Sequence, residues 1–120
     1  MPSTLPSAAL QSHFQGREPN VAATYEALLK AARRLGPVTE DPKKTSIHLV
    51  RGSAFAGVAT QKSALILTLK SKTKTKSARI RKQEQVSTNR WHLEVRLTQP
   101  RDVDQELCNW LAAAYELAAG

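Results

Sequence analysis

The chain has 120 residues, a length typical of one domain, and its apolar fraction of 41% with 23% charged residues excludes a disordered or fibrous protein. Eighteen Lys and Arg against ten Asp and Glu give a net charge of +8. The single Cys108 excludes an internal disulfide, and no apolar run approaches the roughly 20 residues of a membrane span, so we expect a cytoplasmic protein without a membrane segment.

The N-terminal segment contains Pro2 and Pro6, which discourage a helix at its start. We expect residues 1–16 to be a loosely held leader and residues 17–120 to form a single α+β domain. Within the leader, the ring of Phe14 is the expected anchor, because a terminus stays loose unless something ties it down.

The first helix is predicted over Pro19–Leu35. Its apolar residues recur at spacings of three and four, which places them on one stripe of a helix. Pro19 suits the first helical position, because the N–H that it lacks would have no helical partner there. Gly36 and Pro37 then supply a left-handed cap and a residue that cannot continue the helix.

Four strands are predicted after a polar link that contains Pro42. The alternation of apolar and polar residues places them at Thr45–Arg51, Ala54–Thr60, Ser63–Leu69 and Arg90–Thr98. In the second strand the apolar residues break the alternation beside a glycine, which indicates a bulge. Because short turns join the first three strands, we expect antiparallel neighbours.

The last element is predicted to be a helix that begins after Pro100. Asp102 with Gln105 three residues later has the spacing of a capping box. The predicted order is therefore α-β-β-β-β-α: a four-stranded, mainly antiparallel sheet with the N- and C-terminal helices packed on one face. The other face of the sheet would be open.

One stretch carries almost the whole charge excess. It contains no acidic residue and seven basic ones: Lys70, Lys72, Lys74, Lys76, Arg79, Arg81 and Lys82. The rest of the chain has eleven basic and ten acidic residues. We name the stretch Lys70–Lys82 the basic segment, and we expect the chain to turn near residues 73–77 because no apolar residue accompanies its last lysines. Such a segment either steers an anionic partner or is a solvated arm that keeps the protein soluble.

A second candidate site lies on the predicted open face. The alternation places three side chains of the last strand, His92, Glu94 and Arg96, in one row, which His48 joins if its strand lies alongside. A His–carboxylate–Arg row could bind a small anion or transfer a proton, or it could consist of ordinary cross-strand charge pairs. The histidines and Cys108 lack the spacing of metal ligands, so neither a metal nor another cofactor is predicted.

A set of short motifs extends over roughly residues 13–117: His13-Phe14, Gly36-Pro37-Val38, Lys43-Lys44-Thr45, Phe55-Ala56-Gly57-Val58, Lys62-Ser63-Ala64-Leu65, Arg79-Ile80-Arg81-Lys82, His92, Val95-Arg96-Leu97, Val103-Asp104, Leu107, Trp110-Leu111 and Ala114-Tyr115. By these motifs the chain resembles a family of small bacterial domains of unknown function. The resemblance supports the fold. Because the family has no assigned activity, the resemblance implies no catalytic residue.

The sequence favours a non-enzymatic binding module with no catalytic residues. Its partner would be an anion such as nucleic acid, held by the basic segment with Arg90 and Arg96. If all seven cations of the segment met duplex phosphates, log K would fall with log salt at a slope of about −6. The alternatives are a small-molecule or catalytic site around His48, His92, Glu94 and Arg96, or a homodimer formed through that face.

Overall fold

The computed structural model describes residues 8–119, so residues 1–7 of the predicted leader lie outside the described residues. Within residues 8–119, every helix is too short or too polar to cross a bilayer. The elements in chain order are α1 (Ala8–Ser12), α2 (Pro19–Arg33), β1 (Thr39–Pro42), β2 (Ile47–Arg51), β3 (Ser53–Thr60), β4 (Leu65–Ser71), β5 (Ile80–Ser87), β6 (Arg90–Leu97), a 3-10 turn (Pro100–Asp102) and α3 (Gln105–Ala119).

The fold is α+β, with helices at both ends of one antiparallel sheet, which confirms the predicted class. The predicted number of strands is wrong: the sheet has six strands in the order β1-β2-β3-β4-β6-β5. All five neighbouring pairs are antiparallel. The two additional strands, β1 and β5, are the two edges of the sheet.

Both edge strands lack the apolar alternation by which the other strands are recognised. β1 has the sequence Thr-Glu-Asp-Pro and no buried residue. β5 is exposed at six of its eight positions, and its two aliphatic residues, Ile80 and Val86, lie near opposite ends of the strand. An edge strand packs little side-chain surface and commonly carries charge or proline, so backbone pairing forms these strands without an apolar signal.

The core lies between the sheet and the helices. Leu65, Leu67 and Leu69 of β4 are fully buried, and the register sets them beside the buried Leu97, Val95 and Leu93 of β6. The buried stripes of α2 and α3 complete this cluster: Val21, Tyr25, Leu28 and Ala32 on α2, and Leu107, Leu111, Ala114, Tyr115 and Ala118 on α3. The helices therefore cover one face, and nothing in residues 8–119 covers the other, the open face.

The predicted bulge is confirmed in β3. Leu49 pairs with Ala56 and Val50 with Ala54, so Phe55 has no counterpart on β2. The ring of Phe55 is fully buried and lies edge-on against Tyr115 of α3, with 5.2 Å between the ring centres. The extra residue thus turns an aromatic ring into the core and leaves small side chains on the open face of the same strand.

Aromatic side chains pack against the middle of α2 and against the chain that leaves it. Phe14, the predicted anchor, packs its ring 5.2 Å from that of Tyr25. After the helix, Gly36 has φ +149°, and a Cβ there would clash with the hydroxyl of Tyr115, which donates a hydrogen bond to the carbonyl of Pro37. Glycine is required at this exit by both its backbone and its surroundings.

The predicted cap of the last helix is wrong by two residues. The carboxylate of Asp104 accepts a hydrogen bond from the N–H of Leu107 and so caps α3. Asp102 instead accepts hydrogen bonds from the N–H and the hydroxyl of Thr98, which close the turn before the helix. Burial opposes ionisation of Asp102, but these hydrogen bonds outweigh it and hold its pKa below the usual value.

Candidate anion-binding surface

The structure divides the basic segment among three elements. Lys70 belongs to β4, residues 72–79 form a connection that we name the crossover, and Arg81 and Lys82 belong to β5. β6 lies between β4 and β5 in the sheet, so the crossover must pass over β6. Lys72, Lys74 and Lys76 lie in the crossover and are exposed.

The crossover passes on the face that carries the helices. Gln83 of β5 lies opposite the buried Leu93, and its side-chain amide donates to the carbonyl of Thr75 and accepts from the N–H of Thr75. The lysines at 74 and 76 flank this doubly bound residue and project into solvent. The middle of the crossover is therefore tied to the sheet, while its lysines remain accessible.

Arg79 fixes the end of the crossover to α3. Its guanidinium donates to the carboxylates of Asp104 at 2.8 Å and Glu106 at 3.2 Å, and to the carbonyl of Asp102 at 2.7 Å. It also lies 5.8 Å from the ring centre of Trp110. The hydrogen bond from Leu107 and that from Arg79 both lower the pKa of Asp104. Arg79 is thus a structural cation with its charge compensated by the fold.

Arg81 is also paired within the protein. Its Nε lies 3.2 Å from a carboxylate oxygen of Glu94 on the neighbouring strand. Within residues 8–119, the five lysines of the basic segment have no carboxylate oxygen within 4 Å. We name them the lysine surface: Lys70, Lys72, Lys74, Lys76 and Lys82.

Two members of the lysine surface share the open face with other cations. The register places Lys70 opposite His92 and Lys82 opposite Glu94, so both lysines lie on the open face, with roughly 12 Å between their Cα atoms. Arg90 and Arg96 alternate along β6 with the buried residues and lie on the same face. Around β6, the cations of the open face therefore outnumber its two carboxylates, those of Glu84 and Glu94.

A concavity of about 380 Å³ runs along β3 on the open face, and we name it the trough. Its floor lies close to the backbone because Gly57 and Ala59 have almost no side chain. His48 forms one wall, and its ring carbon Cδ2 would lie 3.8 Å from a Cβ placed on Gly57. On β4 and β6 the opposite wall consists of these side chains: Ile66, Thr68, Lys70 and His92.

The predicted row of four polar residues is only partly brought together. His48 and His92 line opposite walls of the trough, three strand spacings apart, which separates their Cα atoms by roughly 16 Å. Glu94 pairs with Arg81, and Arg96 is exposed beyond the trough. No group of three potential metal ligands occurs among the residues that the structure describes.

Sequence reasoning missed the floor of the trough and the anchoring role of Gln83. The run Ala-Gly-Val-Ala in β3 does signal a recessed strand face, because glycine and alanine at alternate positions leave space above the backbone. The role of Gln83 has no such signal, since it depends on a crossover between strands that are not neighbours in sequence.

The comparisons with known proteins bear on the family alone. The model of a family described as "Domain of unknown function (DUF5655)" matches residues 10–118, nearly the whole chain, and confirms the resemblance to a family without an assigned activity. No curated protein matches the chain, and neither does any solved structure.

Proposed function

We propose that the chain, which belongs to the DUF5655 family, is a module that binds nucleic acid through the phosphates of its partner. The observation that carries the proposal is the lysine surface: five cations close together in sequence, without an ion pair among the described residues. Lysine ammonium groups contact phosphate as point charges and need no base-specific geometry.

The fixed crossover strengthens this proposal. Because Gln83 and Arg79 hold the crossover against the sheet and α3, its lysines are presented from a backbone that is already ordered. Binding then loses less conformational entropy than it would with a free arm. The compensation of Arg79 and Arg81 by carboxylates directs phosphate contact to the remaining lysines.

The structure also changes the expected salt dependence. Each phosphate contact to duplex DNA lowers the slope of log K against log salt by about 0.9, so five lysines give about −4.5 instead of the −6 expected for seven cations. Contacts from Arg90 and Arg96 on the open face would make the slope steeper than −4.5.

The direct test is a fluorescence anisotropy titration with labelled single-stranded and duplex oligonucleotides over a series of salt concentrations. We expect binding at low salt that weakens steeply and linearly on the logarithmic plot. The absence of binding to either oligonucleotide at low salt would overturn the proposal, and so would an affinity that does not change with salt.

A further inference from the structure

We infer that the trough accepts one unpaired base of a single strand whose neighbouring phosphates lie on the cations of the open face, Lys70 and Lys82 among them. This inference rests on the proposed function and specifies the form of nucleic acid that the module prefers. It joins the two features of the open face, the apolar floor around Gly57 and the cations around Lys70, into one site.

The trough has the size and lining of a small-ligand site. Its volume of about 380 Å³ lies near the lower end of the range for ligand pockets. The floor is apolar, at Gly57 and Ala59, and polar groups stand only on the walls. A nucleobase presents the same combination, with an apolar face and polar edges.

The walls supply the groups that recognise unpaired bases in other proteins. His48 offers an imidazole ring beside the floor, and imidazoles are among the rings on which bases stack. On the opposite wall, the hydroxyl of Thr68 and the ring of His92 offer a donor or an acceptor to a base edge. These contacts are made to the base alone and do not involve the phosphates of the strand.

Lys70 connects the trough with the other cations of the open face. It lines the trough on β4, and Lys82 of β5 lies on the same face, whereas the crossover lysines lie on the face that carries the helices. A partner that fits both must carry a planar group and repeated negative charges on one chain. Single-stranded nucleic acid has this chemistry, whereas the bases of a duplex are stacked and paired inside it.

Gly57 allows the trough to be filled without removing a charge. Its backbone is not in the left-handed region, and a Cβ there would make only an ordinary contact with His48. The substitution Gly57→Leu should therefore fold and place an aliphatic side chain over the floor. Thr39→Leu is the matched control, because Thr39 is exposed on the edge strand β1 and does not line the trough.

The experiment compares a single-stranded oligonucleotide with an abasic one of the same length, using wild type, Gly57→Leu and Thr39→Leu. We expect Gly57→Leu to weaken binding of the base-containing strand roughly tenfold, because a stacked base is lost, and to leave binding of the abasic strand and the salt slope unchanged. Thr39→Leu should bind both strands as wild type does. Circular dichroism confirms that each variant is folded.

The outcomes separate this inference from the proposed function. If Gly57→Leu binds the base-containing strand as tightly as wild type, the trough does not hold a base and the inference fails, while salt-dependent binding of the abasic strand still supports the lysine surface. If wild type binds neither strand, the proposed function fails and the inference fails with it. Equal weakening for both strands would also overturn the inference, because the trough would then not distinguish the base.

Discussion

Arg79 and the lysines beside it lie in different surroundings although they belong to the same basic run. Its guanidinium makes three hydrogen bonds to α3 and the turn before it, and its side chain is 27% exposed. The neighbouring lysines of the crossover are exposed and unpaired among the described residues. A count of cations therefore overstates the charge available to a partner.

Loss of the Arg79 contacts should destabilise the protein. We expect Arg79→Ala to lower the free energy of unfolding by about 1.5–3 kcal/mol, because hydrogen bonds to charged groups contribute that much and the carboxylate of Asp104 loses its partner. Urea denaturation measures the change. The matched variant Arg81→Ala removes an exposed pair with Glu94 and should cost less than about 1 kcal/mol; equal costs would contradict the structural role of Arg79.

Tyr25 should make stability depend on alkaline pH. Burial and its 2.6 Å hydrogen bond to Glu40 raise its pKa well above 10, so the folded protein keeps the phenol protonated while the unfolded chain loses the proton. The stability that Tyr25 contributes is thus complete below pH 10 and decreases as pH rises above 10.

The variant Tyr25→Phe isolates this effect. At pH 8 it should be less stable than wild type by about 1 kcal/mol, because one hydrogen bond is lost. Above pH 10 the difference should shrink by up to about 1.4 kcal/mol per pH unit. Urea denaturation at pH 8 and pH 11 tests this, and a difference that stays constant would show that Tyr25 ionises equally in both states.

Cap assignment shows the limit of prediction at single residues. Asp102 and Asp104 both precede the last helix, and the residue three positions after Asp102 fits a capping box. The structure uses Asp104 as the cap because the 3-10 turn directs Asp102 back towards Thr98. The sequence predicts the start of this helix to within two residues, but the turn before the helix determines which carboxylate caps it.

Among the elements, those that contribute to the core were predictable. The strand predicted at Arg90–Thr98 corresponds to β6 at Arg90–Leu97, and the helix predicted at Pro19–Leu35 corresponds to α2 at Pro19–Arg33. Their burial pattern repeats with the period of the element, so the sequence carries it. β1 and β5 could not be found in this way, because edge strands are formed by pairing of the backbone.

The contact between Gln83 and Thr75 should control local opening of the crossover. We expect Gln83→Ala to speed hydrogen exchange at the amide of Thr75, because both hydrogen bonds to the backbone of that residue are lost. NMR-detected hydrogen exchange measures the change. Gln85→Ala, which removes only an exposed contact with Thr88, should leave the Thr75 amide unchanged; similar exchange in both variants would contradict this role for Gln83.

At the scale of the whole molecule, the sequence located the charge but not its surroundings. The basic segment and the open-face residues were predicted separately, as two alternative sites. The sheet order brings part of the two sites together, because β4 lies next to β6 and Lys70 faces the same trough as His48 and His92, while the crossover lysines lie on the face that carries the helices. Only the order of the strands could join these sites, and strand order depends on tertiary pairing.

The most direct test of this account compares two triple variants with equal net charge. Lys72, Lys74 and Lys76 are replaced by Gln in one variant, and the exposed Lys30, Lys44 and Lys62 are replaced by Gln in the other. Titration with a duplex oligonucleotide across salt concentrations gives the slope for each. We expect the crossover variant to reduce the magnitude of the slope by about 2.7 relative to wild type and the control variant to change it little. Equal slopes for the two variants would show that overall charge, and not the lysine surface, binds the partner.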